Sequence, residues 1–369
     1  MSKTSIEWSP GARLNRCRVS GATMGTRYGA QFHAPPTADA KTIAAALDAA
    51  VRTVDAQMSN WKADSDLSRL NRATPGRWMP VSANLATVLV RAQEIGRKTD
   101  NAFNIGVGAL VDAWGFGPGV PADERAASSA EAASVSNATD ARRASDIRGA
   151  SPSPCRPIDE LLEVDAARGR ARRLANVAFD LCGIAKGFGV DALARVLDHH
   201  GIGAWLVGID GELRARGCKP DGSPWAIALE APDYDRRGAM GAIDLVDAAV
   251  ATSGDYRHWA NVGGERISHT MDPRAGAPLR GGIASVTVVA RTCTDADAYA
   301  TALMVLGERA GRAHAERHGL DALFVVRDGD ALRTIGCGSF ANTRGRREAD
   351  RERALPNGRA AAYTSNFTP

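Results

Sequence analysis

The sequence contains no long hydrophobic run and few cysteines. No window approaches the length of a membrane span, and the N-terminal stretch MSKTSIEWSPGARLNRCRVSG lacks the apolar segment of about 7–15 residues that a signal peptide needs. We therefore expect no membrane span and a cytoplasmic location. The six cysteines include no CxxC pair, which gives little support to a zinc site or a thioredoxin-like site and favours free thiols.

A large excess of charge of one sign is also absent. Forty-six basic residues against 42 acidic ones give a net charge of +4, and no Lys/Arg run carries interleaved aromatic residues. This balance gives no argument for a nucleic acid partner. The composition, 44% hydrophobic and 24% charged, is that of an ordinary globular protein, and 369 residues allow one large domain or two.

The spacing of apolar residues predicts helices and strands that interleave along the chain. Residues 40–58 and 82–99 have apolar residues at helical spacing, and Ser82 is placed to cap the second helix. Further predicted elements are helices at 186–200 and 294–308 and strands at 203–209, 225–230, 284–290 and 321–327. Because these form no regular βαβ repeat, we expect an α+β fold of mixed sheets with packed helices.

Two segments depart from a globular composition. Residues 119–157 are dominated by Ala, Ser, Arg, Asp and Pro, and they lack the apolar surface that offsets the entropy of ordering. We interpret them as a flexible insertion, with a short Ala-rich helix over 122–134 as the alternative. Residues 341–369 are polar and charged and predict a frayed tail. With a leader at 1–20, this leaves residues 21–340 as one domain.

The segment DLCGIAKGFGVD predicts a site for phosphate. Gly183 and Gly187 enclose a short turn before a helix, where backbone amides and the charge of Lys186 can bind an anion. Asp180 precedes this turn and can accept a hydrogen bond from a hydroxyl or a base N–H. The alternative is an ordinary turn before a helix with a solvated lysine, since glycine-rich turns are common.

A second segment, RTCTDADAYATALMVLG, places oxygen ligands at the start of a helix. Asp295, Asp297 and Thr301 cluster there, and the last two lie on one helical face because they are four residues apart. A carboxylate and a hydroxyl on one turn suit Mg²⁺, which takes few protein ligands and completes its shell with phosphate oxygens and water. The alternative is N-capping, because acidic residues in a first turn complement the helix dipole.

Three further residues have both a functional and a structural interpretation. His269, just before the turn in SHTMDPRAG, titrates near neutrality and can transfer a proton, although a single His is often structural. Met24 and Trp61 can contact an aromatic ring through sulfur–π and stacking interactions, or can simply pack in the core. The residues by themselves leave both interpretations open.

In combination, these segments resemble the FAD:protein FMN transferases, also called the ApbE family. The matching segments run in family order through residues 21–307, which is most of the chain. They are MGT, MSNW with SDLSRLN, AFNIGVGALVDAWGFG, DLCGIAKGFGVD, GIDGELRARG, ATSGDYRHW, SHTMDPRAGAPL and DADAYATALMVLG. The resemblance implies a single α+β unit with FAD bound in an extended cleft.

The resemblance also implies which residues contact FAD. They come from segments far apart in the sequence: Met24, Trp61, Ala102, Phe103, Asn104, Asp180, Lys186 and Met271. Met24 and Trp61 would flank the flavin and adenine region, while Asp180 and Lys186 would contact the nucleotide.

The implied activity is Mg²⁺-dependent transfer of FMN from FAD to a Thr or Ser hydroxyl of an acceptor protein, with release of AMP. The implied metal ligands are the carbonyl of Gly183, Asp297 and Thr301, with Ala300 close by. His269 would take the hydroxyl proton. Mg²⁺ at Asp297, together with Lys186, would neutralise the charge that develops as the pyrophosphate bond breaks.

Three residues depart from the family pattern. Trp61 lies where Tyr is frequent, Cys182 where Ser is frequent, and Asp210 where Gly is usual. Asp210 adds a negative charge near the expected site. These departures keep open a non-catalytic flavin or metal carrier in cofactor assembly. A further alternative is an FAD pyrophosphatase, in which water replaces the protein hydroxyl.

Overall fold

The structure is a computed structural model that describes residues 4–9, 11, 14–118, 153–234, 238–257, 259–262, 265–329 and 331–341. Its strands are β1 (Ser5–Ser9), β2 (Asn15–Thr23), β3 (Thr26–Ala34), β4 (Met79–Pro80), β5 (Leu162–Asp165), β6 (Arg170–Arg173), β7 (Ala204–Ile209), β8 (Glu212–Arg216), β9 (Trp225–Glu230), β10 (Ala239–Leu245), β11 (Ala249–Gly254), β12 (Trp259–Val262), β13 (Glu265–Ser268), β14 (Met271–Asp272), β15 (Ala277–Pro278), β16 (Ile283–Ala290), β17 (Asp321–Asp328) and β18 (Ala331–Cys337). Its α-helices are α1 (Ala40–Met58), α2 (Asp66–Arg72), α3 (Ala83–Lys98), α4 (Gly108–Ala113), α5 (Ala185–His199) and α6 (Cys293–His318).

A nine-stranded sheet forms the centre of the fold. Its strands lie in the order β1-β2-β3-β7-β8-β11-β16-β17-β18, and neighbouring strands run antiparallel. A three-stranded sheet has the order β4-β6-β5, and two-stranded sheets pair β9 with β10, β12 with β13, and β14 with β15. Helices and strands thus interleave without a βαβ repeat, and the expected α+β class is confirmed.

Helices bury their apolar faces against this sheet. Leu47 of α1 and Leu193 of α5 share a core with Phe32 of β3. Leu303 of α6 belongs to a second core with Phe324 of β17. The two cores adjoin where α5 contacts α6, so the first turns of these two helices are held together by packing on both sides.

The helix predictions from apolar spacing agree closely with the structure. Helix α1 covers the predicted range, and the predicted cap of α3 is confirmed because the Ser82 hydroxyl accepts a hydrogen bond from the Leu85 amide. The helix predicted at 294–308 instead continues to His318. Gly307 has a φ of 82° and interrupts this helix near the predicted end. The apolar pattern changes at this interruption, but the chain continues as a helix beyond it.

The segment expected to be a leader, residues 1–20, forms part of the nine-stranded sheet, because β1 and most of β2 lie within it. Nearly all of the insertion at 119–157 and of the tail at 341–369 lies outside the described residues. Within the described ranges, the search for a helix long and apolar enough to cross a membrane finds none.

Candidate active site

The turn predicted to bind phosphate lies directly before α5. This helix has 15 residues, and its N-cap, Ile184, makes no side-chain capping bond to the first-turn amides. The amide of Gly187 donates to Oδ2 of Asp297 on α6 at 2.9 Å. Helices α5 and α6 approach closely here, because a Cβ on Gly187 would lie 2.3 Å from the Cys293 carbonyl oxygen. Glycine at this position lets the phosphate turn and the metal-ligand segment lie side by side.

Lys186, in the first turn of α5, is surrounded by carboxylates. Its Nζ lies 2.8 Å from Oε1 of Glu212 and 3.8 Å from Oδ2 of Asp210. Burial alone would lower the pKa of Lys186, but the charges of Glu212, Asp297 and Asp210 outweigh it and hold the pKa above its ordinary value. The lysine is therefore charged and ion-paired, which contradicts the alternative of a solvated lysine.

Glu212 is the buried partner of this lysine. Its side chain is 4% exposed, and its second oxygen, Oε2, is buried with no hydrogen-bond partner among the described residues. Burial raises the pKa of Glu212, while the charge of Lys186 opposes that shift. The Glu212 carboxylate fixes Lys186 beside the turn, because a buried carboxylate without its cationic partner would cost about 3–5 kcal/mol.

Asp297 and Thr301 lie on one face of α6, as their spacing predicts. Asp297 is buried, and burial, with a contribution from the charge of Glu212, raises the pKa of its carboxyl. Thr301 Oγ1 lies 3.1 Å from the hydroxyl of Ser253, and a Cβ on Gly183 would lie 3.0 Å from the same Oγ1. The structure thus brings the backbone of Gly183 to the Asp297–Thr301 face.

These groups fit a hard divalent cation. The described residues include no group of three or more His, Cys, Asp or Glu side chains that could hold a metal. The candidate donors here are instead one carboxylate, one hydroxyl and the Gly183 carbonyl that the family resemblance implies, a set that Mg²⁺ would complete with phosphate oxygens and water. The buried charge of Asp297 carries an energetic penalty that a cation beside it would offset.

The N-capping alternative applies to other residues of the same segment. Thr292 caps α6 by accepting a hydrogen bond from the Asp295 amide. The Asp295 carboxylate accepts a hydrogen bond from Nε of Arg91 at 2.7 Å. Asp295 therefore forms an ion pair with Arg91 of α3. Asp297 lies on the other face, and among the described residues its carboxylate has no basic side chain within hydrogen-bond distance.

Asp180 organises the other end of the turn. Its Oδ1 accepts from the Cys182 amide at 2.7 Å and its Oδ2 accepts from Nδ2 of Asn60 at 2.9 Å. Asn60 Oδ1 is buried without a hydrogen-bond partner in the described chain. The charge of Asp180 also raises the pKa of the Cys182 thiol well above its ordinary value. Next to Asn60, Trp61 is 54% exposed, which contradicts core packing and leaves its ring accessible for stacking.

The remaining residues predicted to contact FAD occupy different environments. Met24, in the β2–β3 turn, has a φ of 48° and its Cε packs against Gly189 of α5. Ala102 and Phe103 are buried, and the Phe103 ring lies against Gly183.

Asn104 is held within the protein by both ends of its amide. Its Oδ1 accepts from the Gly106 amide, and its Nδ2 donates to Asn101 and to the Arg156 carbonyl. We therefore expect Asn104 to shape the site through the backbone it holds.

The segment with His269 approaches α6 from another direction. His269 follows β13, is half-buried, and its ring centroid lies 6.4 Å from that of Phe116 in an edge-to-face arrangement. Met271 is buried in β14. The guanidinium of Arg274 donates to the Val305 carbonyl of α6 at 2.8 Å, which ties this segment to the metal-ligand helix.

Ala300 lies on α6, directly before Thr301, and is fully buried in the hydrophobic core. Its methyl group has no ligand atom to offer, so its place near the site is one of packing.

Sequence reasoning missed three polar residues that support this site. Asp191 of α5 is buried and accepts from the amides of Cys293 and Thr294, from the Thr294 hydroxyl and from Arg214. It thereby joins the middle of α5 to the start of α6. A lone Asp in an otherwise apolar helix face signals such a role, whereas Glu212 and Asn60 offer no signal because their partners are distant in sequence.

Comparisons with known proteins agree with this architecture. The model of the ApbE family matches residues 24–324. An FAD:protein FMN transferase of Vibrio cholerae is 37% identical over 328 residues, covering 87% of this chain and 91% of that protein. One from Escherichia coli strain K12 is 31% identical over 326 residues, covering 86% of each.

Solved structures agree as well. The flavin transferase ApbE from Vibrio cholerae superposes with a TM-score of 0.73 at 35% identity, covering 89% of this chain and 98% of that one. The apo form of the Pseudomonas stutzeri flavinyl transferase ApbE gives a TM-score of 0.71 at 32% identity, covering 91% and 96%.

Proposed function

The chain belongs to the ApbE family, and we propose that it transfers FMN from FAD to a Thr or Ser hydroxyl of an acceptor protein, with Mg²⁺ held at Asp297 and Thr301. The relatives are FAD:protein FMN transferases that match most of both chains, so this chain is an enzyme that transfers flavin from FAD. The contacts at the start of α5 and α6 support the metal and phosphate roles proposed here, whereas the acceptor hydroxyl is inferred from the family resemblance.

Lys186 and the start of α5 bind the FAD pyrophosphate in this proposal. The bridge carries two negative charges, and a lysine at the first turn of a helix adds its charge to the positive end of the helix dipole. Glu212 keeps the ammonium in place beside this turn. Lys186 thereby stabilises charge that develops on the phosphate oxygens as the bond breaks.

Asp180, Asn60 and Trp61 bind the rest of the nucleotide. The Asp180 carboxylate, oriented by Nδ2 of Asn60, can accept a hydrogen bond from a base N–H or a ribose hydroxyl. The exposed Trp61 ring offers a face for stacking on an aromatic ring of FAD. Met24, Phe103 and the other residues in this part of the site then shape the cleft around the cofactor.

Asp297, Thr301 and the Gly183 carbonyl hold Mg²⁺ in this proposal. When bound, the metal supplies a Lewis acid that polarises a phosphoryl oxygen and neutralises charge. The Gly187 amide keeps the Asp297 carboxylate oriented through Oδ2, and the Ser253 hydroxyl orients Thr301.

The transfer exchanges one P–O bond for another. The acceptor hydroxyl oxygen attacks the phosphorus on the FMN side of the bridge, forming a phosphoester. The bond from that phosphorus to the bridging oxygen breaks, and AMP leaves with the bridging oxygen. His269 takes the proton of the hydroxyl as the new bond forms. Positioning and charge stabilisation by the chain supply most of the acceleration, as in phosphoryl transfer generally.

The observation that carries this proposal is the buried carboxylate of Asp297 beside Thr301, Gly183 and the lysine-bearing turn. Asp297→Asn should abolish flavin transfer to a co-expressed candidate acceptor, detected as a fluorescent band on a denaturing gel. Asp295→Asn is the matched control, because it removes the same charge from the same helix on the face that binds Arg91. Equal activity in both variants would remove Asp297 from the mechanism.

Incubation of the purified protein with FAD and Mg²⁺ separates the alternative activities. Release of FMN and AMP from FAD and Mg²⁺ without an acceptor would indicate a pyrophosphatase. FAD binding without release or transfer would indicate a carrier. The cytoplasmic location stays a prediction that cell fractionation can check.

A further inference from the structure

We propose that Asp210 sets the affinity of this site for FAD by competing with the substrate phosphates for Lys186. This inference rests on the proposed function, because it takes the pyrophosphate of FAD as the anion that Lys186 binds. Its consequence is specific: removing the Asp210 charge should make FAD bind more tightly, although the residue lies in the binding site.

The position of Asp210 supports this competition. It lies in the turn between β7 and β8, directly after Ile209, and its side chain is 44% exposed. Its Oδ2 lies 3.8 Å from Nζ of Lys186. In the described part of the chain Lys186 is its one ion-pair partner within that range. The Asp210 carboxylate is therefore open to solvent and lies just beyond hydrogen-bond distance of the Lys186 ammonium, whereas the Glu212 carboxylate is buried and bonded to it.

The local charge balance points the same way. Lys186 contacts or faces three carboxylates, those of Glu212, Asp297 and Asp210. Glu212 is enough to keep the half-buried ammonium paired, through a 2.8 Å contact. The charge of Asp210 therefore adds little to holding Lys186 in place, yet it repels an incoming phosphate and attracts the lysine away from it.

The turn does not need the Asp210 charge for its geometry. Asp210 has a φ of 55°, in the left-handed region that Asn, Asp and Gly tolerate best. Its amide donates to the Arg27 carbonyl, a bond that any residue with an N–H can make. Asn and Gly can therefore replace Asp210 with the turn intact, so that the charge can be tested apart from the fold.

The experiment measures FAD affinity by the change in protein fluorescence on titration, in buffer with Mg²⁺ and no acceptor. Chromatography at the end of each titration checks that FAD is intact. We expect Asp210→Asn and Asp210→Gly to lower the dissociation constant by about twofold to fivefold, the range typical of a partly exposed ion pair. The gain should shrink at high salt, because exposed charges are screened.

Asp247→Asn is the matched control. Asp247 is another exposed Asp with positive φ, 49°, and it accepts from the Gly217 amide. It should bind FAD as the unmodified protein does. An equal gain in Asp247→Asn would show a general charge effect and overturn the proposal, as would unchanged affinity in both Asp210 variants.

A double-variant cycle tests the route through Lys186. In a Lys186→Ala background, Asp210→Asn should change FAD affinity by less than half of its effect in the unmodified protein. A gain of full size without Lys186 would overturn the competition. Failure of the proposed function looks different, because FAD would then be bound or hydrolysed without FMN transfer to an acceptor, while the Asp210 variants would still change its affinity.

Discussion

The replacement of Gly187 by Ala tests whether the close crossing of α5 and α6 builds the site. A Cβ at this position would lie 2.3 Å from the Cys293 carbonyl oxygen and 2.8 Å from Cβ of Asp297. Both are atoms close to the backbone, which cannot rotate away as the end of a long side chain can. The helices must therefore separate by about 1 Å to restore ordinary contact distances.

The expected loss of stability combines two opposing effects. Ala favours a helix over Gly by about 1 kcal/mol, whereas forcing an extra methyl group into a packed interface costs about 1–3 kcal/mol. The hydrogen bond from the Gly187 amide to Asp297, 2.9 Å long, is stretched as well, at a cost of about 1–3 kcal/mol for a charged acceptor. We expect Gly187→Ala to lower the free energy of unfolding by about 1–5 kcal/mol.

The effect on activity should exceed the effect on folding. A displacement of about 1 Å in a catalytic group can reduce the rate about a hundredfold. Gly189→Ala is the control in the same helix, because its new Cβ would meet the side-chain ends of Ile209 and Met24 and no backbone atom of α6. Urea unfolding measures the stability of both variants, and a transfer assay measures their activity. Full activity in Gly187→Ala, with stability equal to that of Gly189→Ala, would refute the close crossing as the basis of the site.

Two further predictions concern groups that hold the same region together. Asp191→Ala removes the acceptor of three hydrogen bonds at the start of α6 and of one from Arg214 of β8. It should lower the free energy of unfolding by about 3–5 kcal/mol, and Asp191→Asn should lower it less; a change of less than about 1 kcal/mol in urea unfolding would contradict this role. Burial, with the charge of Asp48, raises the pKa of Tyr28 from 10.0 to about 12. The protonated Tyr28 side chain therefore stabilises the fold fully below pH 10, and up to about 2–3 kcal/mol of this is lost as the pH rises to 12. The free energy of unfolding of Tyr28→Phe should therefore fall less at alkaline pH than that of the unmodified protein. An equal fall in both proteins would contradict this prediction.

Local patterns in the sequence were sufficient to predict the helices and part of the candidate site. The apolar spacing of residues 40–58 and the cap at Ser82 depend on neighbours within one or two turns, and the structure has both. The four-residue spacing of Asp297 and Thr301 places them on one face for the same reason. These features could be predicted because they need no knowledge of the tertiary fold.

The partners of these residues could not be predicted. Glu212 reaches Lys186 because β8 lies in the central sheet beneath α5, and Asp191 reaches α6 only through the crossing at Gly187. Both contacts join segments that are distant in the sequence. The solvated-lysine interpretation failed for this reason, since nothing near Lys186 in the sequence indicates its buried carboxylate partner.

The most direct test of the central claim compares two products of one reaction. The purified protein is incubated with FAD, Mg²⁺ and an acceptor protein, and AMP is measured beside covalently bound FMN, which is located on the acceptor by peptide mass spectrometry. Our account predicts one AMP for each FMN on a Thr or Ser side chain. AMP formed together with only free FMN, or no AMP at all while FAD stays bound, would contradict transfer to a protein hydroxyl.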